Sequence, residues 1–180
     1  MFNLNFKKLL FNGIWNAGQA GTGCPQFENP TNVIDINGST KQIGSLSDIT
    51  EAEYIFNSLI HALNRIAKNA GGANIGQSYF KLGTGTTTPA EDDYNIETEA
   101  SDLVINQVTQ TTTATFGKAY NLNITNTGSS AITLSEVVQV LKLLYNKYNN
   151  TAVEVAISRT AVSVSFAPGE TKTIMVEVSI

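Results

Sequence analysis

The chain contains one cysteine, Cys24, and one histidine, His61, in 180 residues. A single cysteine excludes an intrachain disulfide and any metal site built from several thiolates of one chain. A single histidine excludes a site that needs two imidazoles. It also leaves a Ser-His-Asp arrangement dependent on one residue in the N-terminal half. Charge is scarce as well: 14% of residues are charged and 42% are apolar, with a net charge of -4. Only Phe6 to Lys8 is locally basic, so nucleic acid is not an expected partner, because neutralising phosphates requires clustered cations. No window approaches the roughly 20 apolar residues of a membrane-spanning helix, and no membrane partner is expected. The apolar run from Leu9 to Trp15 is short and broken by Asn12 and Gly13, which does not suit a secretory signal.

Asn, Thr, Ser and Gly stand where charge is missing. They hydrogen-bond without carrying charge and suit turns and exposed strand faces. The length fits one domain with an extension. Phe2, Leu4, Phe6, Leu9, Leu10, Phe11 and Trp15 crowd the N-terminus with few charges to solvate them, so a short helix or an arm docked on a neighbour is expected. Residues 18–47 have loop composition, with at most a short strand at Asn32 to Ile36. The clearest helix is the stretch from Ser47 to Gly72. Ser47 or Thr50 caps it, and Ile55, Leu59, Ala62, Leu63 and Ile66 form its apolar face. Arg65 and Lys68 sit in its last turns and Gly71 and Gly72 stop it.

Beyond that, the period becomes two. Phe116, Tyr120, Leu122 and Ile124 alternate with polar neighbours, Asn126 to Ser130 turns the chain, and Ile132 and Leu134 resume the alternation. Val153, Val155 and Ile157 form one strand face, and Val162, Val164 and Phe166 the next. A turn at Ala167 to Lys172 leads into Ile174, Val176, Val178 and Ile180. The stretch from Leu134 to Asn150 fits either a helix or a long strand, and its β-rich surroundings favour the strand. The fold expected is mainly β: an antiparallel β-sandwich in the C-terminal part, preceded by an N-terminal helical and extended region. The expected division is residues 1–78 as arm, loop and helix, and residues 79–180 as the sandwich.

Candidate chemistry is thin. The segments Gly18 to Gly23 and Gly83 to Thr88 look like phosphate loops, but neither has the lysine that follows the last glycine of such a loop. The acidic run Glu91, Asp92, Asp93, Glu97, Glu99 and Asp102 offers hard oxygen ligands without the spacing of a calcium-binding loop, so a solvated loop edge is the expectation. Cys24 has no basic neighbour to lower its pKa. No catalytic residue, metal or cofactor is assigned. Tyr79, Phe80, Tyr94, Tyr120, Tyr145 and Tyr148 supply aromatic surface of the kind that lines glycan or peptide sites, or else pack inside a sheet.

The order of features is also informative. Leu82 to Ala100, reading LGTGTTTPAEDDYNIETEA, resembles the Gly-Thr-Gly-Thr-Thr-x-Pro-x-x-Asp-Asp-Tyr-x-Leu-Glu signature of virion structural proteins of tailed bacteriophages. Those include tail-fibre-like, head-fibre-like and connector-associated components. Gly83, Gly85, Pro89, Asp92, Asp93 and Tyr94 carry the signature here. As in that pattern, it is followed by Asn121 to Val137, an arginine-bearing segment at Ile157 to Val162, and a final Pro-Gly-Glu-Thr turn into a terminal strand. The chain departs from the pattern at Ile96, where the signature has Leu, and after the Asn-Thr-Gly turn, where SEVVQVLKLL replaces a Glu-x-Gly-Leu stretch. The resemblance covers about Tyr79 to Ile180.

It implies a non-enzymatic virion component in the head, neck or tail, assembled in the host cytoplasm. Its partners would be copies of itself and other virion proteins. The N-terminal apolar residues Phe2, Leu4, Phe6, Leu9, Leu10, Phe11 and Trp15 are the expected assembly contacts. Two alternatives remain open. One is a receptor-binding module recognising a host surface glycan through Tyr145, Tyr148 and the loop around them. The other is a glycan or cell-wall hydrolase using a carboxylate pair drawn from Glu91 to Glu99, or from Glu136, Glu154 and Glu170.

Overall fold

The computed structural model describes residues 2–10, 31–43, 64–74, 76–88, 90, 92–112, 117–146 and 151–179. Two three-stranded antiparallel sheets and one small hairpin form the described protein. The first sheet has the order β3 (Gln77–Gly83), β6 (Ile132–Asn146), β7 (Thr151–Phe166), and the second β4 (Leu103–Thr112), β5 (Gly117–Asn126), β8 (Thr171–Ser179). The hairpin joins β1 (Thr31–Ile34) to β2 (Thr40–Ile43).

The core lies between the two sheets. Tyr120, Leu122 and Ile124 of β5 and Ile174, Val176 and Val178 of β8 project inward at alternate positions. They meet Phe80 and Leu82, Leu134, Val137 and Leu141, and Val153, Val155, Ile157 and Phe166 of the first sheet. Each fully buried large apolar side chain contributes about 1.5–3 kcal/mol relative to exposure. The Tyr120 hydroxyl sits in this core beside the Gln139 amide at 3.4 Å. Burial pushes its pKa up to about 12.

The first sheet is covered on both faces. Tyr79, Val138, Val140 and Ala156 point away from the sandwich and pack with Ala73 and Ile96, flanked by Ile36 and Ala67. A strand buried on both sides has no polar alternation. That is why Gln77–Gly83, a strand buried on both faces, shows no period-two pattern in the sequence. β4 escapes the period-two reading for another reason: its register with β5 shifts between Ile105 and Gln107, so Leu103, Ile105 and Val108 do not alternate. The 132–146 stretch is a strand, as its surroundings favour.

Two expectations are corrected. The Ser47 to Gly72 helix was read through Arg65, Ile66 and Lys68, but Ile66 forms a parallel bridge with Ser78. Ser78 donates its N–H to the Arg65 carbonyl at 3.1 Å and accepts from the Ala67 N–H at 2.8 Å. The edge of β3 offers these residues backbone partners that a helix end would leave unmet. Only a short 3-10 turn, Ala70–Gly72, follows, with Asn69 capping it through the Gly72 N–H. Residues 47–63 lie outside the described residues.

The second correction concerns β7, read as two strand faces and found as one strand. Apolar inward positions run 153, 155, 157 and then 164, 166, a change of phase. Gln139 pairs with Ser158 whereas Val140 pairs with Ala156, so an extra residue is inserted at Ile157. A bulge of this kind moves every following side chain to the opposite face.

The N-terminus is bound to the edge of β7 at this bulge. Residues 4–10 are helical, capped by Asn3, whose Oδ1 accepts from the Phe6 N–H at 3.1 Å. The Nδ2 groups of Asn3 and Asn5 both donate to the Ala156 carbonyl, at 2.9 and 3.2 Å. Asn5 also pairs with both backbone groups of Ile34, tying the helix to β1. Phe2 and Phe6 stack at 3.6 Å between ring centres, and with Leu9 and Val33 they join the main core. The described parts of residues 1–78 therefore share one core with residues 79–180. Among the described residues, no helix is long and apolar enough to cross a membrane.

Candidate functional site

The bulge at Ile157 determines where Arg159 points. Without the extra residue, Arg159 would share the inward phase of Val153, Val155 and Ile157. With it, the guanidinium reaches the outer face of the first sheet, where the segment from Thr84 to Glu99 crosses. Arg159 Nε donates to Glu136 Oε2 at 2.5 Å and Nη1 to Asp93 Oδ2 at 2.5 Å. Nη2 lies 3.2 Å from Thr87 Oγ1 and 3.4 Å from the Thr87 carbonyl. The side chains of Arg159 and Glu136 are only 5% and 2% exposed, and Asp93 is 26% exposed.

The acceptors are organised in turn by the loop. Glu136 Oε1 accepts from the Glu97 N–H at 2.8 Å. Glu97 Oε2 gathers the Thr86 N–H at 2.9 Å, the Thr87 N–H at 3.0 Å and the Thr87 hydroxyl at 2.9 Å. Asp93 Oδ2 also accepts from the Ala90 N–H at 2.6 Å. Ser135 donates from its hydroxyl to the Gly85 and Gly83 carbonyls. Two glycines make this closeness possible. A Cβ on Gly83 would stand 2.5 Å from Glu136 Oε1, and one on Gly85 2.5 Å from the Glu97 Cβ.

The electrostatics follow from the contacts. Burial works against the Arg159 charge, but hydrogen bonds to Asp93 and Glu136 outweigh it and raise the pKa above its ordinary value. Hydrogen bonds from the Thr87 backbone and hydroxyl, then from the Thr86 N–H, hold the Glu97 carboxyl below the ordinary range, with Arg159 adding attraction. The cluster is a set of fixed charges and hydrogen bonds that fastens a loop onto a sheet. Beside it is a shallow hollow of about 340 Å³ lined by Thr87, Asp93, Tyr94, Asn95, Ile96, Glu97 and Arg159. Tyr94 is 43% exposed at its rim and packs over the hairpin turn, where Gly38 has a φ of 80°.

A second knot joins two other expected turns. Asn126 is fully buried. Its Nδ2 donates to the Ser130 and Phe166 carbonyls, its Oδ1 accepts from Gly128 N–H, and its backbone carbonyl accepts from Gly169 N–H at 2.9 Å. The 126–130 turn and the 167–170 turn are thereby bound together.

Among the sequence-assigned residues, Gly83, Gly85 and Asp93 meet in the Arg159 cluster, Tyr94 borders it and Asp92 is exposed. Pro89 lies outside the described residues. The acidic run is dispersed. Glu99 faces Lys81 at 3.5 Å, and the Asp102 backbone carbonyl holds Thr127. Among the described residues, no group of three His, Cys, Asp or Glu side chains converges on a point that could hold a metal. Glu154 accepts from the Tyr79 hydroxyl at 3.2 Å, and Glu170 accepts from the Ala167 N–H of its own turn at 2.8 Å, so Glu136, Glu154 and Glu170 are separately engaged. Burial, then the Glu154 charge, raises the Tyr79 pKa well above its ordinary value.

The N-terminal residues expected as assembly contacts differ in their placement. Phe2, Phe6 and Leu9 are buried in the chain's own core and Leu10 packs against it, whereas Leu4 is 39% exposed. Fewer of these side chains are displayed for a neighbour than the sequence suggests. Phe11, Trp15, Cys24, His61, Glu91 and Tyr148 lie outside the described residues. Arg159 and Glu136 as organisers were missed, and the signal for them was the phase change between Ile157 and Val164.

No protein-family model, curated protein or solved structure matches the chain.

Proposed function

We propose that the chain is a non-enzymatic structural subunit of a tailed-phage virion, working through contacts with copies of itself and with other virion proteins. The observation carrying this reading is that separated pieces of the resemblance act together. Gly83, Gly85, Asp93 and Glu97 of the signature, Glu136 after the Asn-Thr-Gly turn, and Arg159 of the arginine-bearing segment form one connected cluster. A signature whose residues interlock is a folding device. Such a device suits a module reused in different assemblies, whose partners are met by other surfaces.

The scarcity of charge agrees with that role, because large subunit interfaces avoid burying unpaired charge. Purified particles of the parent phage should contain the chain by mass spectrometry, in a copy number that matches a ring or shell symmetry. A protein that stays monomeric at high concentration and is absent from purified particles would refute the reading.

A further inference from the structure

We infer that the free edge of β3 at Phe80 is a docking site for a short, extended, uncharged peptide segment of a partner protein, taken up by strand pairing. Backbone direction alternates along an antiparallel strand. Ser78 bonds Arg65 and Ala67, and the Leu82 carbonyl bonds the Ala100 N–H, so both residues direct backbone groups away from β6. Tyr79 and Lys81, alternating with them, therefore direct their backbone groups toward β6. Ser78, Phe80 and Leu82 direct theirs outward, to the open edge.

At one end of that edge, Ser78 is satisfied in both directions by Arg65 and Ala67. At the other, the Leu82 carbonyl accepts from Ala100 N–H at 2.8 Å, and Thr84 N–H reaches the Thr98 carbonyl at 2.9 Å. Between them, the Phe80 N–H, the Phe80 carbonyl and the Leu82 N–H have no hydrogen-bond partner among the described residues. Phe80 is 4% exposed, and backbone groups in such a position are normally paired. Among the described residues, a strand neighbour thus stands on each side of a gap and none fills it.

A groove of about 470 Å³ occupies the gap and wraps around both sides of the strand. On the side toward the sandwich it is lined by Phe80, Leu82, Leu103 and Ile105, and on the outer side by Tyr79, Lys81, Glu99 and Glu154. An inserted strand places successive side chains on opposite faces, so the occupant alternates apolar and polar. The charged side chains lining the groove sum to zero, Lys68 and Lys81 against Glu99 and Glu154, and Lys81 faces Glu99 at 3.5 Å. A lining with no net charge favours neither sign of added charge, which suits an uncharged segment. The unpaired stretch from Phe80 to Leu82 sets the paired length at about three residues, at roughly 3.3 Å each. Strand addition of this type draws affinity from main-chain bonds and selectivity from alternate side chains.

The site names a contact that a virion subunit would use, yet it stands on the geometry alone. Peptide binding by a protein absent from particles would keep this inference and discard the assembly reading. The test is amide hydrogen exchange, followed by NMR on the full chain, with a blocked pentapeptide of alternating threonine and valine as probe. In the free protein, the Phe80 and Leu82 amides should exchange at least about tenfold faster than those of Tyr79 and Lys81. The probe should slow those two selectively, and the same peptide with N-methylated backbone amides should not. Three results would each overturn the inference: Phe80 already protected as well as its neighbours, no response to the probe, or equal binding of the N-methylated peptide.

Discussion

The outward faces of the two sheets solve the same problem in opposite ways. On the β3–β6–β7 sheet, the outer face is covered by the 84–99 loop and held by the buried charges of Arg159, Glu136 and Asp93. On the β4–β5–β8 sheet, the outer face carries an uncharged ladder. Asn106 donates to Asn123 and Thr125, Asn123 donates to Thr173, and Thr125 meets Thr171 at 2.7 Å. Charge is used where a loop must be kept in one place and desolvated. Neutral amides and hydroxyls serve where the sheet only needs lateral support. The first arrangement is all-or-none, because each buried charge depends on the others. The second is graded, because each cross-strand pair contributes a little and remains near solvent.

Substitutions should separate the two. Arg159→Met leaves the Glu136 carboxylate buried without its cation and should cost about 3–5 kcal/mol in denaturant unfolding. Adding Glu136→Leu should recover much of that loss. If the single substitution is neutral, the contrast between the faces fails. Gly85→Ala drives a methyl group into Glu97 and Glu136 and should cost about 1–3 kcal/mol by the same measurement. On the other sheet, Asn123→Ala should cost only about 0.2–1 kcal/mol, and combinations along the ladder should add.

The smallest effect is one of pH. Glu97 has a depressed folded pKa, so its stabilising contribution is present above the ordinary value of 4.5 and is lost as pH falls through the lower folded value. Melting temperature followed from pH 7 downward should therefore fall less steeply in Glu97→Gln than in the parent. The two curves should converge at the acid end. Parallel curves would show that the Thr86 and Thr87 contacts do not favour the charged carboxylate.

The sequence makes legible whatever is periodic and one-sided. β5 and β8 alternate cleanly because one face is core and the other is the polar ladder, and the turns at 126–130 and 167–170 follow from Asn, Gly and Pro. β3 was hidden by burial on both faces, and β4 by the register shift at Ile105. The Arg65 to Lys68 segment reads as helix by local pattern, yet the edge of β3 gives it a better use. The Arg159 cluster was visible only in pieces. Its members are 23 and 66 residues apart in the pairs Glu136–Arg159 and Asp93–Arg159, and no local pattern encodes contacts of that separation.

The inserted residue at Ile157 makes β7 sensitive to counting as well as to chemistry. Deleting one residue between Val155 and Arg159 would keep every side chain that makes the cluster and still send the guanidinium toward Leu141 and Val155. Substitutions along this strand alter one contact at a time, whereas a change of length by one exchanges inside for outside over all that follows. Among variants of this chain that still fold, the spacing from Val155 to Arg159 is therefore expected to hold more strictly than the identities of the residues within it.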